Sequence, residues 1–233
     1  GAVVNQILLT FNEALDPNKA MDLSSFVVAT PGRDKKLGTA DDVPIMLQSA
    51  TYLPTTMQVR IVTAKPLVAN QFYQMTVKGT GPLADLVGNH PDGNADGVQG
   101  DDFSASFARG TRLSYADRNG DLVSLAISGG VMELVRGPDG AAEQLRLLDV
   151  KPNSSRLTGS VKKPRSGGDG ISTLGSITGT GGVQNKLPQC TSTVPTACFQ
   201  IGSISAVVVD SLLDSAAFSR GLFANRLHLG RYR

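Results

Sequence analysis

The chain has 233 residues, 26 of them Gly and 12 Pro, with 18% charged residues against a usual share of about 25%, no Trp, two Cys and a net charge of +2. An apolar share of 40% is too high for a disordered chain, no stretch approaches the roughly 18 uninterrupted apolar residues of a membrane span, and no sustained heptads point to a coiled coil. What is left is a turn-rich, all-β protein.

The small net charge is a cancellation. Residues 1–110 carry 8 Lys and Arg against 11 Asp and Glu, whereas residues 111–233 carry 14 against 9. The basic residues of the second half are scattered, with Lys162, Lys163 and Arg165 the only tight cluster, so a nucleic-acid partner is not expected. The first residue is Gly1 rather than Met and no apolar leader follows, which reads as a piece of a longer protein and decides nothing about localisation.

In chain order, the first half alternates short strand-like runs with turn chemistry: residues 7–11, 26–30, 45–52, 57–63, 72–78 and 103–107. Period-two alternation assigns a core face to each, with Ile7, Leu9 and Phe11 on one, Val59 and Ile61 on another, and Tyr73, Met75 and Val77 on a third. Asp16 followed by Pro17 predicts a single helical turn between the first two strands, Asp16 capping it. A change of texture after Arg109 and Gly110 places a boundary near there, giving domains 1–108 and 109–233.

Strand-like segments of the second half are 112–115, 122–128, 131–136, 144–148, 156–161, 174–177, 199–209 and 222–229, many separated by Gly. Leu174-Gly-Ser-Ile177 is echoed by Ile201-Gly-Ser-Ile204. Short strands turned by Gly and Asn suit a parallel β-solenoid, whose rungs bend sharply and bury apolar residues against their neighbours. The spacing is irregular, so a second antiparallel sandwich stands as the alternative, and the four-residue spacing of Val208, Leu212 and Ala216 leaves a helix over 205–218 open.

The first half carries Leu-Thr-Phe-Asn-Glu-Ala-Leu-Asp at 9–16, Ser-Phe-Val-Val at 25–28, Lys-Pro-Leu at 65–67, Tyr-Gln-Met-Thr-Val at 73–77 and Asp-Leu-Val-Gly-Asn at 85–89. In these it resembles the bacterial Ig-like domains of S-layer and other large cell-surface proteins, over about residues 1–108. The resemblance implies an Ig-like antiparallel β-sandwich, used without catalysis as a spacer or adhesive module on a secreted or surface protein. The second half is similar, more loosely, to the glycine-rich β segments that follow such domains. The partners implied are other domains of a larger surface protein and cell-surface or matrix components.

Three acidic clusters are candidates for metal. In the first, Asp92, Asn94 and Asp96 match the D-x-N-x-D-G opening of a calcium loop, with Asp101 and Asp102 close behind. Alternate oxygens on a tight turn converge on one point, as a hard cation such as Ca²⁺ requires. Position twelve is Phe103 instead of a bidentate Glu, which rejects an EF-hand; a calcium-stabilised hairpin loop and a plain Asx-turn connector both remain open. In the second cluster, Asp34, Asp41 and Asp42 accompany Lys35 and Lys36, and a solvated loop is the preferred reading. The third, Asp117, Asn119 and Asp121 around Gly120, reads as a hairpin turn.

Cys190 and Cys198, in a Thr- and Pro-rich stretch with no His nearby, suit a disulfide closing a surface loop, which the loop-entropy relation values at roughly 2–3 kcal/mol. That bond implies an extracellular or cell-surface setting. His90 and His228 lie far apart in bland contexts, and no nucleophile elbow, zincin, phosphate-loop or dinucleotide motif occurs, so no catalysis is expected. The rival reading is an accessory ligand- or carbohydrate-binding domain of a secreted enzyme. Against it stand the absence of Trp and the presence of only four Tyr, too few for an aromatic sugar platform.

Overall fold

The computed structural model describes residues 4–151, 154–165, 167–179, 183–191, 196–204 and 226–228. It is all-β. The described chain divides into two compact units, with the division falling between Ser106 and Phe107 and with residues 69–71 grouped with the second unit.

The first unit contains β1 (Gln6–Thr10), β2 (Phe26–Thr30), β3 (Val43–Ile45), β4 (Leu47–Leu53), β5 (Gln58–Thr63), β6 (Phe72–Val77) and the start of β7 (Phe103–Gly110). β1 pairs antiparallel with β5 and β5 with β4, while β2 pairs antiparallel with both β3 and β6. The period-two reading holds residue by residue: Ile7, Leu9, Val59, Ile61, Tyr73, Met75 and Val77 are all buried. Each such aliphatic side chain contributes about 1.5–3 kcal/mol by leaving water, so one-residue slips of register are strongly opposed. Phe11 departs from its face and is only half-buried, because β1 ends at Thr10.

The run 45–52 is not one strand. Met46, 76% exposed, lies between β3 and β4, which belong to different sheets. The helical turn after Asp16 is a 3-10 turn at Lys19–Met21 that begins two residues later than expected, with Asn18 rather than Asp16 at the N-cap position; Asp16 Oδ1 instead accepts from the Asn18 and Lys19 amides.

In the second unit, β8 (Arg112–Ala116), β9 (Leu122–Ser128), β10 (Val131–Arg136) and β11 (Ala142–Leu148) are followed by β12 (Arg156–Lys162), β13 (Ile171–Gly179), β14 (Gln184–Lys186) and β15 (Cys198–Ile204). The early pairings, β8 with β9, β9 with β12 and β10 with β11, are antiparallel. From β11 onward successive strands alternate between two sheets: β11, β13 and β15 lie side by side and parallel in one, β12 and β14 parallel in the other. The repeated sequence lies in register across this ladder, Leu174 opposite Ile201 and Ile177 opposite Ile204. Gly175 and Gly202 have a steric reason to be glycine. A Cβ on Gly175 would stand 2.5 Å from the Glu143 carbonyl oxygen, and one on Gly202 would stand 2.5 Å from that of Gly175.

The last described strand, β16 (Arg226–His228), falls within the 222–229 segment read above as part of the glycine-rich half, but it pairs antiparallel with β1 and groups with the first unit. The possible helix at 205–218, and the part of the 199–209 run beyond Ile204, lie outside the described residues. No helix among the described residues is long and apolar enough to cross a membrane.

Candidate functional site

The long connection from β6 to β7 carries the first acidic cluster, and its base is fixed before the cluster begins. Ser25 accepts from the Lys78 amide through its carbonyl and from the Leu83 amide through its hydroxyl, while Leu83 and Ala84 are buried. Asp85, 7% exposed, then organises a tight loop by accepting from the amides of Val87 and Asn89 and from the Asn89 side chain. Burial works against its charge, but these donors outweigh it and hold the carboxyl below the usual carboxylate value. Farther on, His90 Nδ1 lies 3.0 Å from the Leu83 carbonyl oxygen.

Residues 91–101 form a closed loop: Gly93 N donates to the Asp101 carbonyl, Gly100 N donates to the Pro91 carbonyl, and Asp92 bridges Asp101. Gly97 (φ 89°) and Gly100 (φ 101°) adopt the left-handed backbone that the bend requires. One carboxylate oxygen each from Asp92, Asp96 and Asp101 lies within 4.8 Å of the other two. Two oxygens that are both about 2.4 Å from one calcium ion can be no farther apart than about 4.8 Å, so the spacing fits a single hard cation. Asn94 is at the edge of the group, its Nδ2 donating to Asp96 Oδ2 at 3.2 Å. Asp102 does not join; its Oδ1 accepts from the Gly79 amide at 2.9 Å.

Backbone amides also serve these side chains. Asp92 accepts from Asp96 N and Gly97 N, Asn94 Oδ1 from Asp96 N, and Asp96 Oδ1 from Val98 N. The loop therefore has an Asx-turn framework of its own, with the carboxylates gathered on top of it.

In the second cluster Asp41 accepts from the Thr39 hydroxyl and the Asp34 amide, which lowers its pKa, and Asp42 accepts from the Gly38 amide. These are local turn bonds. The third is a hairpin turn joining β8 and β9, with Asp117 N donating to the Asp121 carbonyl and Gly120 at φ 89°. Cys190 and Cys198 are joined as a disulfide with Cα atoms 4.9 Å apart.

Several buried polar groups of the second unit escape sequence reasoning. Glu133, 1% exposed on β10, takes Arg109 on Oε1 and Arg146, its cross-strand neighbour on β11, on Oε2 at 3.0 Å. A lone acid in the run Val131-Met-Glu-Leu-Val135 was the available signal. Burial pushes the Tyr115 hydroxyl up to about 12, and the Arg136 guanidinium stands 4.7 Å from its ring centroid. Glu143, on the exposed face of β11, is also pushed up, first by partial desolvation and then by Asp139.

No family model matches the chain, and no curated protein does. Among solved structures it is similar to the N-terminal part of the bacterial S-layer protein SbsC, at 10% identity and a TM-score of 0.33, over 64% of this chain and 42% of that one. A structure of SbsC domains 1–6 gives 11% identity and 0.32, covering 64% and 24%; the rSbsC(31-844) structure gives 10% and 0.34, covering 72% and 32%. The chain thus spans less than half the length of each.

Proposed function

We propose that this chain is a non-catalytic structural or adhesive module of a secreted or cell-surface bacterial protein. In this reading an Ig-like sandwich over 1–108, to which β16 returns, is joined to a glycine-rich β domain that begins at 109 and coils as a solenoid from β11 onward. The observation that carries the reading is the in-register parallel ladder of β11, β13 and β15, alternating with β12 and β14. Such a ladder devotes side chains and glycines to stacking one turn on the next, the work of an extended scaffold. The motifs at 9–16, 25–28 and 73–77 support the Ig-like part, and the disulfide fits an oxidising, extracellular setting. Its partners are other domains of a longer surface protein and cell-surface or matrix components.

Calcium stabilises the module in this proposal, with Asp92, Asp96 and Asp101 as carboxylate ligands and Asn94 beside them. Calorimetric titration with Ca²⁺, paired with melting in the presence and absence of a chelator, tests it. Heat of binding and a lower Tm on chelation are expected, both reduced in Asp96→Asn; absence of both removes calcium from the proposal. Tyr52, Tyr73 and Tyr115 are all buried, which leaves these rings unavailable for stacking sugars. Binding to a defined sugar on a glycan array would replace the structural reading with a carbohydrate-binding one.

A further inference from the structure

Asp121 follows the turn between β8 and β9, a surface position by sequence, yet the residue is fully buried. Its Oδ2 accepts from the Asp169 amide at 3.1 Å and the Gly170 amide at 2.7 Å, which ties the segment before β13 to this turn. Its Oδ1 is buried with no hydrogen-bond partner. A carboxylate oxygen taken out of water without a donor is costly, and native structures seldom leave one so.

The Asp169 side chain is a direct hydrogen-bonding neighbour of the Asp121 carboxyl. Asp169 is adjacent, and its Oδ2 faces Asn119 Nδ2 at 3.0 Å while its Oδ1 accepts from the Ile171 amide. Asp117 lies behind, its Oδ1 accepting from the amides of Asn119 and Asp121. Of the neighbouring cations, Arg118 is turned to Asp139 at 3.1 Å, and Arg136 is committed to the Ala116 and Gly140 carbonyls. Gly168, at φ 81°, packs its backbone against this carboxyl; a Cβ there would stand 2.1 Å from Oδ1, so no side chain at that position intrudes on the oxygen.

We infer that Asp121 Oδ1, the Asp169 carboxylate and the side-chain oxygen of Asn119 form a second cation site, for a divalent ion of the calcium class, between the β8–β9 turn and the segment before β13. The orphaned buried oxygen distinguishes this cluster from an ordinary hairpin turn. Asp117, Asn119 and Asp121 alternate along the chain as in a calcium loop, and Asp169 adds a second charge from a distant segment. Binding turns the Asn119 amide over, so that its oxygen replaces the Nδ2 that now faces Asp169. The site is independent of the loop at 91–101, and its failure leaves the calcium reading of that loop untouched.

The test uses the full chain carrying Asp96→Asn, which weakens the first loop. Terbium luminescence excited through tyrosine reports binding, since Tyr115 lies two residues before Asp117. Saturable luminescence displaced by Ca²⁺ is expected. Adding Asp169→Asn, at an exposed position, should weaken binding about tenfold or more with an unchanged circular dichroism spectrum, and adding Asp121→Asn should abolish it. Absence of sensitised luminescence in the Asp96→Asn chain, or equal affinity with and without Asp169→Asn, overturns the site.

Discussion

The two units differ in whether glycine enters the strands and in how buried charge is satisfied. In the first, the acidic connection at 78–102 turns on left-handed glycines such as Gly97 and Gly100, outside the strands, and the strand pairings described above are antiparallel. In the second, Gly175 and Gly202 lie inside strands, where neighbouring carbonyls exclude any side chain, and the pairing becomes parallel from β11 onward. The buried charge of the first unit, Asp85, is held by donors of its own loop, whereas Glu133 and Asp121 of the second are held by partners from distant segments. Glycine thus serves turns in both units, as at Gly97 and Gly120, and serves stacking as well in the second. A difference of this kind can be broken by substitutions that should damage one unit and spare the other.

The largest effect is expected at Glu133. Replacing it with Ala leaves the Arg109 and Arg146 guanidinium groups without their shared carboxylate, and breaking such a buried pair costs about 3–5 kcal/mol. Denaturant unfolding of Glu133→Ala should show that loss. Hydrogen exchange should place it in β10 and β11 while β1 and β5 keep their protection, and a loss shared equally by both units would erase the contrast.

Next comes the glycine ladder. Gly175→Ala forces a methyl group against the Glu143 backbone, a strain of about 1–3 kcal/mol. Gly167→Ala, where nothing lies within 4 Å, should stay within about 0.5 kcal/mol of wild type. Thermal melts of the two variants compare a stacking glycine with a loop glycine in the same unit, and equal Tm values would contradict the ladder.

The smallest effect is a pH dependence in the first unit. Because the folded Asp85 carboxyl lies below its ordinary value, its contribution is present above the unfolded pKa of about 4 and is lost as pH falls through the lower folded value. Acid melting should therefore steepen below pH of about 4, and Asp85→Asn should flatten part of that slope. An unchanged slope would mean that the Asn89 and Val87 donors do not favour the ionised form.

Much of the strand layout was legible because period two is a local property. Ile7, Leu9, Val59, Ile61, Tyr73, Met75 and Val77 declare their buried face by alternation alone. The break at Met46 was not legible, since apolar residues continue across it and only the partner strands, β2 for β3 and β5 for β4, separate the two segments. In the candidate loop, the spacing of Asp92, Asn94 and Asp96 was visible in sequence, whereas the recruitment of Asp101 and the diversion of Asp102 to Gly79 depend on how the loop closes.

The sequence by itself determined an all-β chain, the buried faces of its first strands, the turns at 117–121 and 16–21, and the Leu174 and Ile201 echo, because propensity, alternation and turn chemistry act over a few residues. Tertiary structure alone decided that the echo stacks in parallel register, that 226–228 returns to β1, and that Asp121 and Glu133 are interior. Those outcomes depend on which distant segment supplies the hydrogen bonds and the opposite charge, and no local pattern encodes the identity of a partner many residues away.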